Sequence, residues 1–151
     1  MTTASARRPG VRFDTDSRLR IAIILLCLIG LGISAYLTYL HYTGGQVPCT
    51  NKGCQTVQTS VYAKLDGVPV PVLGLVGYVA ILASALLAGD LGRVAGFGLA
   101  LCGFLFSCYL TYREVFTIKA ICEWCVGSAV LMTLLTILTS IRVVRGEPQP
   151  R

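Results

Sequence analysis

Residues 121–144 read ICEWCVGSAVLMTLLTILTSIRVV: two cysteines three apart, followed by an apolar run whose only charge after Glu123 is Arg142. A helix that crosses a bilayer needs roughly 20 predominantly apolar residues, and this stretch meets that requirement. Three charge-poor stretches of the same kind precede it, at 21–42, 72–89 and 94–112. Together they decide the fold, because only helices or closed barrels can satisfy their own backbone polar groups in hydrocarbon.

Composition agrees. The 151 residues are 54% hydrophobic and 13% charged, with a mean hydropathy of +0.71. A water-soluble globule of this size cannot enclose so much apolar surface. The fold class expected is all-α: an integral membrane four-helix bundle forming one domain over 19–145, with a disordered cytoplasmic tail at 1–18 and a second short tail at 146–151. The first apolar stretch also follows a basic segment (Arg7, Arg8, Arg12, Arg18, Arg20), as in a signal peptide. It is too long for that, and it ends in Tyr36, Tyr39, His41 and Tyr42, an aromatic interfacial end.

Basic residues set the expected orientation. Nine of the 13 Lys and Arg fall on one side of a four-pass topology: the five N-terminal arginines, Arg93, Arg142, Arg145 and Arg151. The other side holds Lys52, Lys64, Arg113 and Lys119. Retained basic loops mark the cytoplasmic face, so a multi-pass protein of the cell membrane with both termini cytoplasmic is expected. Anionic lipid accounts for the net charge of +6, and no nucleic acid partner is needed.

The one long polar connection, 43–71, joins the first two apolar stretches on the extracytoplasmic side. Val57, Val61 and Leu65 recur at helical spacing, which predicts a short amphipathic helix at the membrane surface. Asp66-Gly67-Val68-Pro69 ends it, and Pro71 suits the start of the next helix. The remaining links, 90–93 and 113–120, are short and force antiparallel neighbours.

Four of the seven cysteines fall on one side of this topology. Cys49 and Cys54 lie in the long loop, and Cys122 and Cys125 open the fourth helix. Thiol–disulfide exchange needs a thiolate, and a C-x-x-C at a helix N-terminus favours one through unpaired amides and the macrodipole. Cys122 is placed to exchange with the loop; Cys125, about a turn deeper, is placed to face a lipid-borne electron acceptor. Two stabilising disulfides would close rings too small to remove much unfolded-state entropy. A four-cysteine zinc site fits the spacing but not an oxidising compartment, so a cysteine-rich metal-binding membrane protein is the alternative and no metal is expected. Cys27, Cys102 and Cys108 read as packing residues. Trp124, Tyr78, Phe106 and Tyr109 are candidate walls of an acceptor pocket.

The order Cys49-x4-Cys54, Ser60, Gly67-Val68-Pro69 and Cys122-x-x-Cys125 resembles the vitamin K epoxide reductase family and its bacterial members over about 20–144. The resemblance implies a bundle around a quinone, menaquinone or ubiquinone, with Cys125 next to the ring and Ser60 hydrogen-bonding nearby. It further implies that Cys49 meets the partner protein and that Cys54 forms an interloop disulfide with Cys122. Some bacterial members carry a fused thioredoxin-like domain; the sequence ends at Arg151 without one, so a separate thioredoxin-like extracytoplasmic partner is expected. Val126-Gly127-Ser128-Ala129 follows Cys125 without the tyrosine of the vertebrate enzymes, which points to quinone reduction coupled to disulfide formation and away from epoxide reduction.

Overall fold

No proline falls inside any of the four apolar stretches beyond their first turn, so the intrahelical ladder that lipid makes obligatory runs unbroken. In a computed structural model, which describes residues 9–146, the chain forms α1 (Pro9–Thr43), α2 (Gly53–Thr59), β1 (Lys64–Leu65), β2 (Val68–Pro69), α3 (Val70–Leu86), α4 (Asp90–Arg113) and α5 (Glu123–Arg145). Helices α1, α4 with its extension to Ile118, and α5 are long and apolar enough to cross a membrane; α3, of 17 residues, is shorter. This is the expected all-α membrane bundle. Its main contacts run α1 to α3, α3 to α4, α4 to α5 and α5 back to α1, a closed ring of four.

Three local features differ from expectation. Helix α1 is already formed at Pro9, the first described residue and within the segment expected as a tail, and nothing between Gly10 and Arg20 interrupts it. Residues 1–8 and 147–151 lie outside the described residues, and with them the rest of both tails. The loop helix is also shorter than its apolar spacing suggested. It stops at Ser60, whose extended backbone lets Oγ donate to the Val57 carbonyl at 2.7 Å. Val61 then lies in a 3₁₀ turn and Leu65 in β1, both exposed. The antiparallel pair β1–β2 closes through Asp66-Gly67, both at positive φ as a tight hairpin demands. The third difference is in the link after α4, where Glu114–Ile118 make a π-helical turn that ends on Lys119 in the left-handed region.

The core is small and central: Ile23, Cys27, Tyr78, Ile81, Ala85, Ala100, Met132 and Leu135. Leucine, isoleucine and valine side chains such as Leu25, Ile29, Val76, Leu105, Val130 and Ile137 point outward, which is the surface that lipid covers. Cys27 is packed inside, but Cys102 and Cys108 are exposed on the outer face of α4, so the packing role expected for them holds for Cys27 alone. At the end away from the site cysteines, Asp16 accepts from Arg142 Nε at 3.4 Å and approaches Arg93 at 3.9 Å, while Arg93 pairs with Asp90 at 2.9 Å. These charges tie α1, α4 and α5 together.

Tyr78 illustrates how the core is fitted. Its ring is fully buried, its hydroxyl meets Ser128 Oγ at 2.9 Å, and its face lies against the backbone of Gly30. A Cβ on Gly30 would fall within that ring, whereas one on Gly32 would meet nothing. Gly30→Val is therefore expected to cost about 1–3 kcal/mol by overpacking. Gly32→Val should stay within about 0.5 kcal/mol. Thermal unfolding of the two variants in detergent measures the difference.

Candidate functional site

Helix α5 begins where an extended segment meets the bundle, and its N-cap is a cysteine. Cys122 has extended backbone angles, and its Sγ accepts the backbone N–H of Cys125 at 3.4 Å. The sulfur thus occupies the place of the usual capping oxygen, against the positive end of the helix. Three residues on, the Cys125 side chain packs against the buried cluster that holds Cys122. The Cys122 thiol is held below its ordinary value, first by the neighbouring Cys125 thiol and then by the backbone N–H groups of Cys125 and Trp124; burial and the neighbouring Glu114 charge oppose them.

The loop pair comes to the same place. Cys49 and Cys54 are joined in a disulfide with Cα atoms 6.3 Å apart. Cys54, Val57 and Cys122 form one buried cluster, flanked by Val47, Cys49, Ile118, Ala120, Trp124 and Cys125. Two hydrogen bonds pin the loop to the start of α5: Trp124 Nε1 donates to the Pro48 carbonyl at 2.9 Å, and Thr50 Oγ1 to Glu123 Oε2 at 3.3 Å. Backbone meets backbone next to Cys54, because a Cβ on Gly53 would collide with the Ile121 carbonyl. Gly53 carried no signal in the sequence beyond its place beside a cysteine.

The two inner cysteines have different surroundings. Cys122 is fully buried beside Cys54, whereas Cys125 lines a cavity of about 150 Å³ between the helices. Leu37, Val57, Leu73, Phe106, Leu110, Trp124 and Met132 make its apolar walls, and Ser34, Tyr62, Ser107 and Thr111 supply polar atoms. Of the residues expected as walls, Phe106, Trp124 and Cys125 are there. Tyr78 is not: its ring is spent on Gly30 and its hydroxyl on Ser128, and only Ser128 reaches the cavity. Tyr109 faces outward, where its hydroxyl accepts from Arg113 Nε at 3.3 Å beneath that guanidinium. Ser60 borders a separate groove with His41 and Lys64, its hydroxyl turned back on Val57.

One residue of the site was not singled out from the sequence. Glu114, in the π-helical turn, is 4% exposed, lines the cavity, and accepts the Cys122 N–H at 3.3 Å through Oε2. Cys125 lines the same cavity. An acidic residue eight positions before Cys122, in a chain with only seven acids, is the signal that could have found it. Among the described residues no group of three or more His, Cys, Asp and Glu could hold a metal ion.

The influence of the Cys125 thiol on Cys122 makes a direct prediction. In the reduced protein, Cys125→Ala removes the largest influence holding the Cys122 thiol down, so Cys122 should titrate at higher pH than the first step of the wild type. Ultraviolet absorbance of the thiolate against pH measures it; an unchanged or lower titration would show that Cys125 does not govern Cys122.

Comparison with known proteins agrees with this geometry. The pattern that defines the vitamin K epoxide reductase family matches residues 21–140. The thiol-disulfide oxidoreductase LTO1 of Arabidopsis thaliana is 36% identical over 119 residues, which cover 70% of this chain and 32% of that protein. The chain therefore spans about a third of the length of this curated relative. With most of its length matched by the family pattern, and with two cysteine pairs meeting at one end of a helical membrane bundle, the chain belongs to the vitamin K epoxide reductase family.

Proposed function

We propose that the chain is a membrane thiol:quinone oxidoreductase that reoxidises a separate thioredoxin-like extracytoplasmic protein and passes the electrons to a quinone, menaquinone or ubiquinone. One observation carries the reading: Cys54 and Cys122 share a buried contact while Cys125, a turn away, lines an apolar cavity. Family membership and the thiol-disulfide oxidoreductase relative support the same chemistry.

The steps follow from which sulfur touches what. A thiolate of the partner attacks Cys49 in the Cys49–Cys54 disulfide, and the partner's second thiol resolves the mixed bond, so the partner leaves oxidised and the loop pair is reduced. Cys54 then attacks Cys122 of an inner disulfide, which releases Cys125 as a thiolate, and Cys49 closes back on Cys54 to free Cys122. The loop pair is now oxidised, with the Cys49–Cys54 bond re-formed, and the inner pair is reduced. Two electrons next leave through Cys125. The cavity suits a flat apolar ring with polar oxygens: Phe106, Trp124 and Met132 offer faces and edges, and Ser34, Ser107 and Thr111 hydroxyls stand among them. A quinone bound there would supply the two-electron acceptor.

The orientation proposed has the cysteines extracytoplasmic and both termini cytoplasmic. The charge count supports it, as do Arg93, Arg142 and Arg145, which gather at the end of the bundle remote from the relay. The alternative of a cysteine-rich metal-binding protein needs four thiolates together, and the Cys49–Cys54 bond removes two.

Purified protein given a quinone and a reduced thioredoxin-like donor should bleach the quinone absorbance with turnover, and Cys125→Ala should abolish it. Full activity in that variant, or stoichiometric zinc binding without quinone reduction, overturns the function. Gly53→Ala should slow turnover with the protein donor by roughly ten- to a hundredfold, since small displacements of reacting groups carry penalties of that order. Single-turnover oxidation of the inner pair by quinone should be unaffected in the same variant.

A further inference from the structure

The steps above leave one buried group without a task. Glu114 is carried to the inner pair by the π-helical turn, a local widening that recurs at functional sites. The Glu114 carbonyl accepts the N–H groups of Lys119 and Ala120, which folds the turn back on itself, and the side chain accepts the Cys122 N–H at 3.3 Å and lines the same cavity as Cys125. A carboxylate taken out of water needs partners, and the one it has here belongs to the redox pair.

Other charged and titratable groups nearby are engaged elsewhere. Arg113, the preceding residue, lies over the rings of Tyr62 and Tyr109 at 4.9 and 5.2 Å. Tyr62, from the loop, accepts from Arg113 at 3.4 Å. Helix α2 contributes Cys54, which is oxidised, and α5 contributes Glu123, bonded to Thr50. Lys119, at the end of the same turn, is exposed.

The two inner sulfurs differ in what they need in order to react. Cys122 is stabilised as a thiolate by the helix cap. Cys125 carries a thiol hydrogen and cannot bond to Cys122 until a base removes it. Glu114 is the carboxylate that lines the cavity together with Cys125 and holds the Cys122 N–H.

We propose that Glu114 is the general base and proton carrier of the inner dithiol, taking the Cys125 proton as the Cys122–Cys125 bond forms and returning it when that bond is broken. With a small disulfide as oxidant, the Cys122 thiolate attacks one sulfur, forms a mixed disulfide and expels the first thiolate. Glu114 takes the proton from Cys125 Sγ. The Cys125 thiolate then attacks Cys122 Sγ, the mixed bond breaks, and the second thiolate leaves and collects the proton from Glu114. Two electrons have gone to the oxidant and one disulfide has been exchanged for another. With a quinone as oxidant, the two electrons are accompanied by the Cys125 proton and one proton from solvent. The proposal rests on the dithiol reading of Cys122 and Cys125 given above, and not on the quinone.

The chain's single tryptophan, Trp124, sits between the two cysteines, so its fluorescence reports the inner pair. Fully reduced protein is mixed with 4,4′-dithiodipyridine, and formation of the Cys122–Cys125 bond is followed through Trp124 as a function of pH. The wild-type rate should rise as Glu114 ionises and then level off. Glu114→Gln keeps an oxygen for the Cys122 N–H but no base; its rate should fall by about tenfold or more at neutral pH, within the usual reach of general-base catalysis, and should climb steadily with pH as hydroxide takes over. Glu114→Asp, which retains a carboxylate, should keep the plateau. A wild-type rate and profile in Glu114→Gln overturns the proposal. Equal slowing in both variants with the plateau unchanged also overturns it, since that marks a structural role. The wild-type profile is a test on its own if Glu114→Gln does not fold: a rate without a plateau overturns the proposal. Failure of the wild type to reduce any quinone would sink the function proposed above and leave this result standing.

Discussion

The end of the molecule where the two cysteine pairs meet depends on one close approach, the backbone of Gly53 against the carbonyl of Ile121. A side chain at 53 would lift α2 from the start of α5 and carry Cys54 away from Cys122. Given that approach, the rest of the loop has little freedom: Trp124 holds Pro48, Thr50 holds Glu123, and the Cys49–Cys54 bond closes the segment between them. The loop is long by the standard of helical bundles, yet it is docked along much of its length, as expected of a functional connection.

The second constraint is the contrast imposed on two cysteines only three residues apart. One is the N-cap of α5, where its sulfur meets an amide, and the other belongs to the first turn and opens onto the cavity. Neither environment would be produced by the C-x-x-C spacing alone. The extended segment before Cys122 supplies the cap geometry, and the π-helical turn before that brings a carboxylate to the Cys122 N–H and into the cavity that Cys125 lines. Local backbone irregularity at the end of α4 therefore does as much for the site as the cysteines themselves.

The parts of this architecture that were legible in the sequence are those set by the bilayer as solvent. Four apolar stretches, their order and the gathering of two cysteine pairs follow from hydropathy and loop length. What escaped depends on side-chain direction within a helix or on short-range competition for hydrogen bonds. Tyr78 and Tyr109 are both aromatic residues in apolar helices, but one turns to Gly30 and Ser128 and the other to Arg113, and neither faces the cavity. Val57, Val61 and Leu65 share a helical period, yet Ser60 hydrogen-bonds to Val57 and ends the helix between them. Glu114 lies one residue past the last helical residue of α4 and reads as part of a link, because sequence alone does not show that the turn folds back.

The remaining cysteines acquire a meaning from where they are not. Cys27 is enclosed in the central core with Tyr78 and Ile81, and Cys102 and Cys108 lie on the outside of α4 while Gly103, Phe106 and Ser107 of the same helix look into the cavity. None of the three sits in the cluster of Cys54 and Cys122, and none lines the cavity that Cys125 opens onto. Seven cysteines in so small a bundle offer many wrong pairings, and the fold keeps the four that meet at the loop apart from the other three, so that in the proposed relay a current entering at the loop has no short circuit into the scaffold.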